Sequence, residues 1–63
     1  MKVKFLGATE EQIRWGRNDD PNKVLIVGKT YEVIDKEVHS WHTKIRVSDY
    51  PDLQFNDASF EYI

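Results

Sequence analysis

The chain has 63 residues, a formal net charge of −2 and no cysteine, so it has neither a disulfide nor a thiolate zinc site. A chain of this length forms one domain, 1–63, because half of it could not offset the entropy of ordering with its own core. The small negative charge excludes a basic field that would draw DNA by counterion release. No apolar segment approaches the ~20 residues of a membrane span.

The first predicted element is a short strand that ends at Gly7. Val3 and Phe5 alternate with two lysines, which is the pattern of a strand with one buried and one wet face. Lysines within this apolar run are not typical of a signal peptide. We therefore expect a cytoplasmic protein that does not contact a membrane.

A short helix is predicted next. Thr9 and Gln12 have the spacing of a capping box, in which each side chain bonds the backbone N–H of the other residue. This pattern predicts a helix over Glu10–Trp15 with Ile13 facing inward and Gly16 as its C-terminal stop. An irregular loop is the alternative, since so short a helix is marginal without packing.

Two turns follow the helix. Residues 17–22 are rich in Asn and Asp, which bond their own backbone, and Asp20 should be extended because it precedes Pro21. Within the segment 27–33, Gly28 predicts a tight turn and the residues after it alternate as a strand.

The rest of the chain alternates between strand and turn patterns. We predict a second strand over Tyr31–Asp35, near the centre of the sheet, and a polar connection over Lys36–Ser40. A third strand over Trp41–Ser48 and a fourth over Leu53–Phe55 are joined by a hairpin turn over Asp49–Asp52. One helical or 3₁₀ turn over Asn56–Ser59 then leads to a fifth strand over Phe60–Ile63. Trp41 shares the parity of Ile45 and Val47, which predicts an inward ring. Five short strands indicate a small barrel or sandwich.

The order of these elements resembles an SH3-like barrel. More narrowly, the chain resembles small uncharacterised SH3-like proteins of Gram-positive bacteria, their phages and mobile elements. The segments that carry this likeness are Arg14–Gly16, Asn18–Pro21, Val27–Val33, His39–Lys44, Phe55–Asn56 and Phe60–Glu61. The resemblance implies an all-β fold with minor α content, a five-stranded barrel whose long first loop carries a short helix, and no particular activity.

The resemblance does not carry over the proline-rich peptide site of eukaryotic SH3 domains. Trp41 stands near the place of the tryptophan in that site, and Asp19 and Asp20 lie in the long loop. The paired aromatics of the first loop and the late proline are missing, and the parity of Trp41 points inward. A fold alone does not imply a function.

Two histidines raise the possibility of a metal or a general base. His39 and His42 would need one or two further ligands for zinc, such as Asp19 or Asp20 if the loop folds over. Residues three apart on a strand point to opposite faces, so the two rings should diverge unless the chain turns there. The alternative is one packed and one solvated histidine. No nucleophile or phosphate-binding motif is present, so we expect neither an enzyme nor a cofactor.

Exposed aromatic and polar residues favour a protein partner. Trp15 lies beside Arg14 and Arg17, the composition of an interface hot spot, although it could instead cover one end of the barrel. A basic strip of these two arginines with Lys23, Lys44 and Arg46 leaves a small nucleic-acid-binding barrel as the alternative. We expect a monomeric, non-enzymatic interaction module. Its predicted contact residues are Trp15, Asn18, Asp19, Asp20, His39, Trp41 and His42.

Overall fold

The computed structural model of the chain describes residues 1–14 and 18–63. Within these residues the fold contains five strands, namely β1 (Lys2–Phe5), β2 (Thr30–Val38), β3 (Thr43–Val47), β4 (Tyr50–Asn56) and β5 (Phe60–Tyr62). The helix α1 spans Glu10–Arg14, and two 3₁₀ turns span Pro21–Lys23 and Asp57–Ser59. All neighbouring strands are antiparallel in one sheet of order β4-β3-β2-β1-β5. The mainly-β class and the central position of the second strand are confirmed.

The first strand has the alternation that its sequence predicts. Val3 and Phe5 are fully buried, whereas Lys2 and Lys4 are exposed. β1 lies between β2 and β5, so its backbone groups have partners on both sides. The chain leaves this strand through Gly7, whose φ of 96° is open to glycine and strained for other residues.

The long loop (residues 6–29) carries the predicted helix and turns. α1 begins at Glu10, as the capping box predicts, and the end of the predicted helix at Trp15 and Gly16 lies outside the described residues. Ile13 is half-buried rather than a core residue. Gly28, with φ of 87°, forms the predicted turn, and its N–H donates to the carbonyl of Phe5 at 2.7 Å. Among the described residues, no helix is long and apolar enough to cross a membrane.

The second strand is longer than its sequence predicts. The first residues of β2 pair with β1, and the strand pairs with β3 from Val33 to Val38. The register of the β2–β3 pairing shifts between Val33 and Asp35. The predicted polar connection over Lys36–Ser40 is therefore wrong for residues 36–38. The side chains of Lys36, Glu37 and Val38 are exposed while the backbone of this segment pairs with β3, and nothing in the local sequence reveals such pairing.

The third strand begins later than its sequence predicts. The chain turns at residues 39–42, where the N–H of His39 donates to the carbonyl of His42 at 2.8 Å, and β3 starts at Thr43. Ile45 and Val47 face the core as expected, but Trp41 is 81% exposed. The prediction of an inward Trp41 is wrong, because strand alternation does not extend through a turn.

The fourth strand starts earlier than predicted. A two-residue turn at Ser48–Asp49 joins β3 to β4, so the predicted turn over Asp49–Asp52 is wrong beyond Asp49. Pro51 lies within β4, which is an edge strand and therefore tolerates a residue without an N–H.

Both edge strands contribute to the same core. The ring centroids of Phe5 and Phe60 are 5.3 Å apart, and those of Phe55 and Phe60 are 6.2 Å apart. The predicted single turn between β4 and β5 is confirmed as the 3₁₀ turn Asp57–Ser59, capped by Asn56. Among the described residues, the core contains Val3, Phe5, Leu25, Tyr31, Ile45, Val47, Phe55 and Phe60.

Candidate functional site

A cleft of about 300 Å³ lies between α1, the turn at residues 39–42 and the second 3₁₀ turn. We call it the Trp41 cleft. Its lining residues are Glu11, Gln12, Trp41, His42, Asn56, Asp57 and Ala58. Two of the predicted contact residues, Trp41 and His42, thus line the cleft together with five residues that the sequence does not predict as contacts.

Gln12 connects the helix to the other side of the cleft. The capping box is confirmed, since Thr9 Oγ1 accepts from the N–H of Gln12 at 3.2 Å and Gln12 Oε1 accepts from the N–H of Thr9 at 3.0 Å. The same Oε1 also accepts from the hydroxyl of Ser59 at 3.0 Å. The sequence predicts the first contact, which is local, but not the second, which joins residues far apart in the chain.

Asn56 adds a second connection on the same side. Its Nδ2 donates to the carbonyl of Gln12 at 3.2 Å, and its Oδ1 accepts from the N–H of Ala58 at 3.0 Å. Asn18 Nδ2 also donates to the carbonyl of Gln12, at 3.4 Å. These bonds hold α1 against the second 3₁₀ turn, so this part of the cleft is a preformed polar wall.

The turn at residues 39–42 brings the two histidines together. Because the chain turns here, the rings of His39 and His42 do not diverge but stack, with centroids 4.8 Å apart and an angle of 13° between planes. His39 Nε2 lies 2.5 Å from Glu37 Oε1. Within ranges 1–14 and 18–63, no group of three or more potential metal ligands occurs, so the geometry offers no support for the zinc hypothesis.

Trp41 and His42 differ sharply in their surroundings. The Trp41 side chain projects from the turn into solvent. His42 is half-buried, and both of its ring nitrogens are buried without a hydrogen-bond partner. An imidazole normally uses one nitrogen as a donor and the other as an acceptor when it is neutral. The hydrogen-bonding capacity of this ring is therefore unused in the structure.

The acidic residues of the long loop bond within the chain. Asp19 pairs with the edge strand β4, because its N–H donates to the carbonyl of Gln54 and its Oδ2 accepts from the N–H of Gln54, both at 2.9 Å. Asp20 is extended, as predicted, and its Oδ1 caps the first 3₁₀ turn by accepting from the N–H of Asn22 at 2.9 Å. Neither residue lines the Trp41 cleft. Trp15 lies outside the described residues.

A tyrosine holds one of the cleft carboxylates. The hydroxyl of Tyr62 donates to Asp57 Oδ2 at 2.8 Å. Partial burial, followed by this hydrogen bond and the negative charge of Asp57, raises the pKa of Tyr62 to about 12. Lys36 Nζ lies 4.8 Å from the centre of the same ring. The Asp57 carboxylate therefore has a fixed neighbour on the side of β5.

The cleft has an acidic lining. Glu11 and Asp57 supply carboxylates, and no lysine or arginine is found among the described residues that line it. Elsewhere, Arg14 Nη2 pairs with Glu10 Oε1 at 2.6 Å, and Arg46 Nε lies 3.6 Å from Asp35 Oδ2. These two arginines of the hypothesised basic strip each have a carboxylate neighbour, which weakens the strip as a surface for phosphates.

Comparisons of the chain with protein-family models, with curated protein sequences and with solved structures find no match. The resemblance to SH3-like proteins therefore stays a prediction from the residues.

Proposed function

We propose that the chain is a non-enzymatic interaction module that binds a protein partner at the Trp41 cleft. The observation that carries this proposal is the 81% exposure of Trp41 at the edge of a cleft with a preformed polar wall. Tryptophan is among the residues that dominate binding energy at protein interfaces, because its large ring gains most when a partner removes it from water.

The preformed wall supports binding with little reorganisation. Gln12 and Asn56 are held by bonds across the chain, so a partner would not have to order them. Preorganised groups cost less conformational entropy on association. The proposed contact surface combines this wall with Trp41 and His42, whereas Asp19 and Asp20 have structural bonds.

The proposal includes the SH3-like barrel architecture. Two observations support it: the edge strands β4 and β5 follow one another in the chain, and Phe55 and Phe60 from these strands pack in one core. The proposal also includes the expected cytoplasmic location and monomeric state.

The charge of the cleft disfavours the alternative, a nucleic-acid-binding barrel. Glu11 and Asp57 would repel phosphates, and binding to a nucleic acid backbone rests mainly on lysine and arginine contacts. A fluorescence titration with single- and double-stranded oligonucleotides at about 50 mM salt tests this alternative where electrostatic binding is strong. We expect no saturable binding.

The proposed protein site is tested by substitution of Trp41. A partner captured from lysate is identified by mass spectrometry, purified, and titrated by calorimetry against wild type and Trp41→Ala. Loss of a hot-spot tryptophan typically costs about 2 kcal/mol or more, so we expect affinity to fall at least roughly 30-fold.

The matched control is Ile26→Ala. Ile26 is also an exposed apolar residue, at 63%, but it does not line the cleft. We expect this variant to bind within about twofold of wild type, because isolated surface contacts outside an interface contribute little. Equal losses for the two variants, or an unchanged affinity for Trp41→Ala, would place the interface elsewhere.

A further inference from the structure

A pair of stacked histidines lies beside the Trp41 cleft. The planes of His39 and His42 are nearly parallel, with centroids 4.8 Å apart. Histidine is the side chain whose charge ordinarily changes between pH 5 and 8. The protonation state of the two rings therefore affects the stability of the stack.

One ring of the pair is equipped to hold a positive charge and the other is not. His39 Nε2 faces Glu37 Oε1, and a carboxylate can only accept, so this nitrogen carries hydrogen. His42 has no acceptor for either of its buried ring nitrogens. If both rings gained a proton in this arrangement, two like charges would face each other and a buried N–H donor would stay unsatisfied.

We propose that the stacked pair of His39 and His42 is a pH-sensitive element in which protonation of His42 breaks the stack and changes the shape of the Trp41 cleft. His42 lines the cleft directly, and Trp41 is its neighbour in the same turn. A ring that leaves the stack would thus alter both aromatic residues of the proposed contact surface.

The charged groups around the pair favour movement toward the cleft. Glu11 from α1 and Asp57 from the second 3₁₀ turn line the cleft with His42 and are acceptors for an imidazolium. On the other side, Glu37 from β2 is bonded to His39, and Lys44 from β3 is paired in register with Glu37. A charged His42 that turned toward Glu11 or Asp57 would gain a partner that the stack does not provide.

Any effect of this pH response on partner binding rests on the proposed function. The stack and its response to pH are properties of the chain alone, so the test contains no partner. A negative capture experiment and a negative pH experiment can therefore be told apart.

The test is an NMR titration of the wild-type chain from pH 7.5 to 5.0. We expect cross-relaxation between the ring protons of His39 and His42 at pH 7.5 and its loss at pH 5.0. The Trp41 indole N–H resonance should shift over the same pH range in which the carbon shifts of the His42 ring report protonation. Ring-to-ring contact that persists at pH 5.0 would overturn the proposal, as would a stationary Trp41 resonance.

The variant His42→Phe keeps an aromatic ring in the stack and removes its titration. We expect the Trp41 indole resonance of this variant to stay constant from pH 7.5 to 5.0. A shift as large as that of wild type would show that another group moves Trp41 and would overturn the proposal. If this variant does not fold, the ring-to-ring contacts of the wild type decide the question without it.

Discussion

The long loop and the turn at residues 39–42 are both rich in polar side chains, yet they use them in different ways. In the long loop, Asp19 and Asp20 bond backbone groups of the chain. In the turn, Trp41 projects into water and His42 has two ring nitrogens without a partner. Polar composition alone does not distinguish these cases, whereas the count of satisfied groups does. Asp19 and Asp20 therefore contribute to the fold, whereas the Trp41 ring is accessible to a partner and the buried nitrogens of His42 have no partner within the chain.

The largest effect on stability is expected for Gln12→Ala. This change removes the acceptor of the Thr9 N–H and of the Ser59 hydroxyl, and Ser59 is only 2% exposed. A buried polar group left unsatisfied costs about 1–3 kcal/mol, so we expect the free energy of unfolding to fall by about 2 kcal/mol. Urea denaturation followed by circular dichroism measures this difference.

The neighbouring variant Glu11→Ala is the control for that experiment. Glu11 lies on the same helix and its side chain is exposed, so we expect the free energy of unfolding of this variant to stay within about 0.5 kcal/mol of wild type. If Gln12→Ala lowered the free energy of unfolding no more than Glu11→Ala, the bonds between α1 and the second 3₁₀ turn would not stabilise the fold.

A smaller effect is expected for Asp19→Ala. This substitution removes the side-chain acceptor of the Gln54 N–H on the edge strand β4, while the backbone bond from Asp19 to Gln54 can persist. Loss of one such bond costs about 1 kcal/mol, which corresponds to roughly fivefold faster exchange of the Gln54 amide hydrogen where local opening controls exchange.

Asp19→Asn is the matched variant, since its side chain keeps an acceptor oxygen of similar geometry. We expect Gln54 exchange close to wild type in Asp19→Asn. Identical acceleration in both variants would mean that the negative charge of Asp19, rather than its position as an acceptor, protects the edge strand.

Local signals in the sequence predict much of this fold. Thr9 and Gln12 form the predicted capping box because both partners lie within one helical turn. Gly28 and Asn56 likewise mark their turns through short-range backbone chemistry. Features that depend on neighbours distant in the chain were not predicted. The exposed part of β2 is paired with β3, and the charged residues Lys36 and Glu37 within it are typical of a loop.

The candidate site was predicted only in part for the same reason. Aromatic and titratable residues cluster in the sequence at His39, Trp41 and His42, and this clustering predicts that the segment contributes to a site. Their arrangement was not predicted, because a single backbone bond between His39 and His42 turns the chain and reverses the expected orientations. The opposite side of the cleft depends on the contact of Gln12 with Ser59, which has no counterpart in local sequence.

The most direct test of the difference between the two regions is the free energy of unfolding of Trp41→Ala, measured by urea denaturation beside wild type. Because the Trp41 ring lies outside the core, its removal should change stability by less than about 0.5 kcal/mol. A loss of 3 kcal/mol or more, as is typical when a buried tryptophan is truncated, would contradict the account and show that Trp41 stabilises the fold.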